Sequence, residues 1–167
     1  MGIGRRAIPQ STDSLLAGNR EPPLGAHLVT PRRGYLHHGI HVGGSKVVHY
    51  SGLARGLRGG PVEEVSLARF ASSQRVWVRP SSPADFNVHE VVSRARSRVG
   101  EDCYRMLTNN CEHFCEWCLR GRPRSLQVEA CLAWPRRALL STLRLLQRSL
   151  GALEPPVRGK AKQSHML

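Results

Sequence analysis

The sequence predicts an α+β fold, a small antiparallel sheet packed on helices, and two observations predict it. Residues 26 to 50, "AHLVTPRRGYLHHGIHVGGSKVVHY", combine β-branched residues, short alternations and a Gly-Gly turn between two apolar runs. Two later stretches, "FNVHEVVSRARSRVG" and "NNCEHFCEWC", change to helical spacing. At 167 residues the chain fits one domain, long enough to bury an adequate core.

Residues 1–22 are polar, rich in Gly, Pro and Ser and without periodicity, so they read as a disordered arm, and the domain is expected over 23–128. Its first short strand is predicted at Ala26 to Val29. A hairpin follows: His37 and His49 are each six residues from Gly43, and a turn over Val42, Gly43 and Gly44 would set them directly opposite, with Cβ atoms about 5 Å apart. In that register His37, Gly39, His41, Ser45, Val47 and His49 share one face, and His38, Ile40, Val42, Val48 and Tyr50 the other. "RVWVRP", Arg75 to Pro80, is a further strand. Val88, Val91, Val92 and Ala95 make the apolar stripe of a helix that stops at Gly100. A second helix is expected from an N-cap at Asn109 to the break at Gly121-Arg122-Pro123.

Beyond that break, Leu139, Leu143, Leu146 and Leu150 line up, with Arg137, Arg144 and Arg148 mostly on the other side. This predicts a basic amphipathic helix within 129–151 and a disordered tail over 152–167. Packing on the domain and lying on an anionic bilayer through residues 134–150 both satisfy such a stripe. The formal charge of +13, nearly all arginine, favours anionic partners by long-range attraction and equally describes a solvated basic surface. No helix-turn-helix, zinc-finger or RNA-binding signature accompanies it, so no specific nucleic acid is expected. The opening residues lack a continuous apolar core, Arg6 stands where a myristoylation signal wants Ser or Thr, and no apolar run is long enough for a bilayer. With five clustered cysteines, an odd number, the expected setting is reducing and cytoplasmic, with peripheral membrane contact as the option left open.

Three of those cysteines fall within "NNCEHFCEWC". A zinc site could use Cys103, Cys111, Cys115 and Cys118, but a zinc knuckle needs a tight turn, and "CEHFCEWC" has good helix formers and neither Gly nor Pro. No metal and no cofactor are therefore expected. On a helix, Cys111, Cys115 and Cys118 share one face, and Cys115 and Cys118 read as small core residues. Cys111 differs by position. With Asn109 as N-cap and Glu112 closing a capping box, it falls in the first turn, where unpaired N–H groups and the helix dipole stabilise a thiolate and can hold an oxyanion.

A thiolate nucleophile needs a base oriented by a third polar group. The pair His37 and His49, symmetric about the Gly turn, supplies candidates for both roles. His41 reads as pocket lining, His113 as helix surface, and His27 and His89 as structural.

Together "PLGAHL", "HHGIHVGG", "VVHYSG" and "NCEHFC" resemble the lecithin:retinol acyltransferase-like domain, a circularly permuted branch of the NlpC-type, papain-like cysteine hydrolases. The resemblance covers about Leu24 to Val128. It implies the permuted papain-like fold, with Cys111 as nucleophile forming an acyl thioester, His37 as base and His49 as the third residue. It also implies an acyl substrate, with relatives acting on phospholipids as phospholipases and acyltransferases; unlike them this chain is expected to have no terminal transmembrane anchor, because no apolar run in the sequence is long enough. Two other classes compete: a peptidase or amidase with the same triad, and a non-enzymatic basic binding module.

Overall fold

The computed structural model describes residues 7–18, 20–52, 59–80 and 84–135. Residues 1–128 form one compact unit and 129–167 a second. Along the first unit run β1 (Ser14–Leu15), β2 (His27–Pro31), β3 (Leu36–His41), β4 (Lys46–Gly52), β5 (Gly60–Ser66), α1 (Leu67–Ala71), β6 (Trp77–Arg79), α2 (Val88–Ser97) and α3 (Cys111–Arg120). The strands make one antiparallel sheet in the order β1-β6-β2-β3-β4-β5, so the α+β expectation holds. Pro61, which can donate no ladder hydrogen bond, is tolerated because β5 is an edge strand.

The sheet buries both faces. Ile40, Val42, Val48, Tyr50 and Val62 pack with Val91, Val92 and Ala95 of α2 and with Cys111, Phe114, Cys115, Cys118 and Leu119 of α3. On the other side Leu28, Val47 and Val65 pack with Phe70 of α1 and with Val76. The alternation read from the hairpin is thus the observed one.

Its register is not. Ile40 pairs with Val48 and His41 with Val47, and the Val42 N–H bonds the Lys46 carbonyl (2.9 Å), so the three-residue turn is Gly43-Gly44-Ser45 rather than Val42-Gly43-Gly44. All three turn residues have positive φ (86°, 58° and 53°), and Ser45 occupies a left-handed position that its side chain does not advertise. The shift is two residues, so the faces survive, but His37 is no longer directly opposite His49. Ladder pairing between β3 and β4 ends at Ile40 and Val48, and the strands part beyond it. Gly39 sits at that parting: a Cβ there would lie 2.5 Å from Val47 Cγ1 and 2.9 Å from Phe70 Cε2.

Other elements differ from expectation. Part of the segment read as an arm is built into the sheet, since β1 pairs with β6, and Asp13 is held by Arg79 (3.0 and 3.1 Å). The first predicted strand runs His27–Pro31 rather than from Ala26 to Val29, and Val88 is exposed rather than part of the α2 stripe. Residues 126–135 are helical. Most of the basic helix and all of the tail predicted over 129–167 lie outside the described residues. Among the described residues no helix is long and apolar enough to cross a membrane.

Candidate active site

The start of α3 is fixed by Asn110, not Asn109. Asn110 Oδ1 accepts from the N–H groups of Glu112 (2.9 Å) and His113 (3.0 Å), while His113 Nδ1 accepts from the Asn110 N–H (3.4 Å) and closes the capping box. Asn109 is engaged elsewhere: its amide donates to Tyr50 Oη and to the Cys103 carbonyl, both at 2.9 Å, and Arg98 holds its oxygen. Cys111 is consequently the first residue of the helix. Glu112, expected in the capping box, turns inward to Ser125 Oγ (2.6 Å), the Gln127 N–H (3.1 Å) and Arg79 (3.4 Å). His113, expected on the helix surface, is buried.

His37 and His49 meet as anticipated in spite of the changed register: His37 Nε2 lies 2.9 Å from His49 Nδ1, with the rings edge-on at 89°. Phe70 stacks on His37 with a 5.4 Å centroid separation and 29° between planes, and meets the His49 ring edge-on at the same distance. His49 Nδ1 also lies 2.8 Å from the Tyr50 carbonyl, and Glu63 Oε1 is 3.7 Å from His49 Nε2. The remaining nitrogen, His37 Nδ1, is buried and has no hydrogen-bond partner among the described residues, the Cys111 thiol included. It faces Gly52, whose added Cβ would lie 3.5 Å from it.

Cys111 reaches the neighbourhood from the other face of the sheet. Its thiol meets the backbone N–H of His38, one peptide link from the His37 ring, where β3 and β4 have parted. Burial pushes the thiol up to about 12, and the N–H groups of His38, Glu112 and Cys111 itself oppose that only in part. The helix start therefore does not yield a thiolate in the free protein, contrary to the reading from position alone. His37 is driven well below 6.5, by burial first and then by His49, Arg32 and His38; burial takes His49 down to about 4 against the opposing pull of the Tyr50 carbonyl and Glu63. The resting state is a neutral thiol beside a neutral pair of imidazoles.

A second buried histidine pair shows by contrast what the first lacks. His27 Nε2 lies 2.8 Å from His38 Nδ1, and the Gln127 amide donates to His38 Nε2 (3.0 Å), which assigns the His38 proton to Nδ1. Both of the nitrogens of His38 are engaged, so this pair is structural, as expected for His27. His41, read as pocket lining, instead bonds the Pro23 carbonyl through Nδ1 (3.0 Å). Cys115 and Cys118 are fully buried core residues as read, and Cys103 and Cys131 are exposed. Among the described residues no three His, Cys, Asp or Glu side chains are placed to hold a metal ion.

A cleft of about 470 Å³ opens beside the pair, lined by His37, His49 and Glu63 together with Arg32, Arg33 and Arg69. Sequence reasoning did not find Glu63. The only available signal was a negative one: the acidic doublet Glu63-Glu64 interrupts the alternation of "GPVEEVS" and hides β5 as a strand.

Two comparisons with known proteins bear on this arrangement. The family model described as "Lecithin retinol acyltransferase" matches residues 20–124, more than half of the chain and the whole span from β2 to α3. No curated protein matches the chain.

Proposed function

Since the chain belongs to the lecithin retinol acyltransferase family, one of acyltransferases and hydrolases, we propose that it transfers acyl groups through a thioester on Cys111, with phospholipids or other acyl esters as donors. The observation that carries the reading is the open His37 Nδ1, in a ring held from behind by His49 and one peptide link from the Cys111 thiol. Both nitrogens of His38 are engaged, and although His41 Nε2 likewise makes no hydrogen bond, it lies 3.3 Å from the Glu21 carboxylate, whereas no carboxylate of the described residues pairs with His37.

In the proposed reaction His37 Nδ1 takes the thiol proton as Cys111 Sγ attacks the carbonyl carbon. The Cys111 N–H, which unlike those of Glu112 and His113 is not taken by the Asn110 cap, is the group at the start of α3 that can hold the developing oxyanion. Collapse breaks the carbon–oxygen bond, and His37 returns the proton to the departing alcohol. Water or a second hydroxyl then attacks the thioester, gives its proton to His37, and releases the acyl product and the thiol. Because thiol and imidazole are both neutral at rest, the charged pair arises only as the acyl group excludes water and the thiol turns from the His38 N–H to Nδ1.

The arginines of the cleft favour a donor with an anionic headgroup, in line with phospholipid. Contact of residues 134–150 with an anionic bilayer belongs to the same proposal. The test is turnover of a short-chain phosphatidylcholine and of its amide analogue by wild type, Cys111→Ala and His37→Gln. Ester cleavage by wild type and its loss in both variants is expected. Undiminished turnover by Cys111→Ala would sink the mechanism, and cleavage of the amide alone would move the enzyme to the amidases.

A further inference from the structure

The proton inventory of the histidine pair does not close within the pair, and we infer that Glu63 closes it, as a positioning residue that holds the His49 proton on Nε2. This rests on the triad reading above. His49 Nδ1 stands 2.8 Å from the Tyr50 carbonyl oxygen and 2.9 Å from His37 Nε2, and a neutral ring has one proton to place. The carbonyl only accepts, so satisfying it puts the proton on His49 Nδ1. His37 Nε2 must then accept in turn, which leaves the His37 proton on Nδ1, the very atom that has to receive the thiol proton. His37 is idle as a base in that tautomer. With the His49 proton on Nε2, His37 donates from Nε2 into the His49 Nδ1 lone pair and its own Nδ1 is open, while the Tyr50 carbonyl, 2.8 Å away, faces that lone pair and opposes this tautomer.

The group at His49 Nε2 decides between the two. Glu63 pairs with His49 across the β4–β5 ladder, which fixes its stem, and its Oε1 stands 3.7 Å from Nε2. The carboxylate is partly exposed, at 28 %, so a small side-chain rotation completes the hydrogen bond. The other charged groups acting on His49 are Arg32, from the turn after β2, and Arg69 of α1, both cations; Arg69 also holds the second Glu63 oxygen at 3.5 Å. Those cations oppose the positive charge that His37 gains with the thiol proton, and Glu63 offsets it. Once His37 is protonated at both nitrogens its Nε2–H needs an acceptor at His49 Nδ1, so each proton-transfer step calls for the same His49 tautomer.

Long-range proton–nitrogen correlation NMR on the full chain labelled with ¹⁵N-histidine reads tautomers directly, with the His49 signals assigned by their loss in His49→Gln. The proton is expected on His49 Nε2 in wild type, on Nδ1 in Glu63→Leu, and back on Nε2 in Glu63→Asp. Arg69→Ala removes a competitor for the carboxylate and is expected to leave the proton on Nε2. Unchanged His27 and His38 signals certify that each variant is folded. In the ester assay Glu63→Leu lowers kcat about tenfold or more at unchanged KM. A His49 Nδ1–H in wild type, a tautomer indifferent to Glu63→Leu, an unaltered kcat, or an equal shift in Arg69→Ala would each overturn the inference. Should wild type turn over no ester while the tautomers respond as expected, the acyl-transfer reading falls and the Glu63 assignment stands.

Discussion

In the free protein Cys111 should react as a dry thiol and not as half of an ion pair, and alkylation measured against pH shows which it is. Burial pushes the thiol from an ordinary 9.0 up to about 12. At pH 7 that leaves about one thiol in 10⁵ ionised, against about one in 10² for the unperturbed group, a difference of about 4 kcal/mol at about 1.36 kcal/mol per unit. His37 cannot make up the difference at rest, since burial holds it well below 6.5 and its Nδ1 makes no hydrogen bond to the sulfur. The assay is iodoacetamide labelling from about pH 6 to about pH 10, followed by peptide mapping because exposed Cys103 and Cys131 react first. The Cys111 rate should climb about tenfold per pH unit over the whole range, with no plateau. A plateau reached below about pH 8 would refute the reasoning, because it would mean that the N–H groups of His38 and α3 outweigh burial and hold a thiolate in the empty site.

Acid should unfold the protein earlier than its carboxylates alone require. His49 titrates near 4 when folded and near 6.5 when unfolded, so its contribution is constant above about 6.5 and falls as the pH drops to about 4, by about 3 kcal/mol in all. Burial lowers His27, His37 and His38 as well, in the same direction, and a urea midpoint unchanged between pH 7 and pH 4 would contradict this. Gly39→Ala should cost about 1–3 kcal/mol, because the new methyl meets Val47 and Phe70 and dislodges the ring stacked on His37; thermal unfolding measures it, and an unshifted Tm would count against the packing described. Asn110→Ala should cost about 1 kcal/mol through loss of the α3 cap, and Asn110→Ser should recover most of it in urea titrations.

What could be read from the sequence followed from periodicity, and what escaped depended on tertiary partners. A period of two fixes the faces of β3 and β4 whatever the turn, so the pairing of His37 with His49 survived a register two residues out. The turn itself was misplaced because a serine in the left-handed region leaves no mark in the sequence. Two adjacent asparagines are equally good caps in isolation; Tyr50, Arg98 and the Cys103 carbonyl claim Asn109, and Asn110 is left for α3. Strand β1 is only two residues long, too short for any pattern, and its place depends on β6 and on the Asp13–Arg79 pair. The position of Cys111 at a helix start was legible, but its burial, which sets the sign of its pKa shift, came only with the packing of α3 on the sheet.

Intact-mass spectrometry after incubation with a short-chain phosphatidylcholine tests the central claim most directly. An adduct of one acyl chain on wild type, mapped to Cys111, absent from Cys111→Ala and accompanied by fatty-acid release, is the predicted result. Fatty-acid release without an adduct in wild type and undiminished in Cys111→Ala would contradict it.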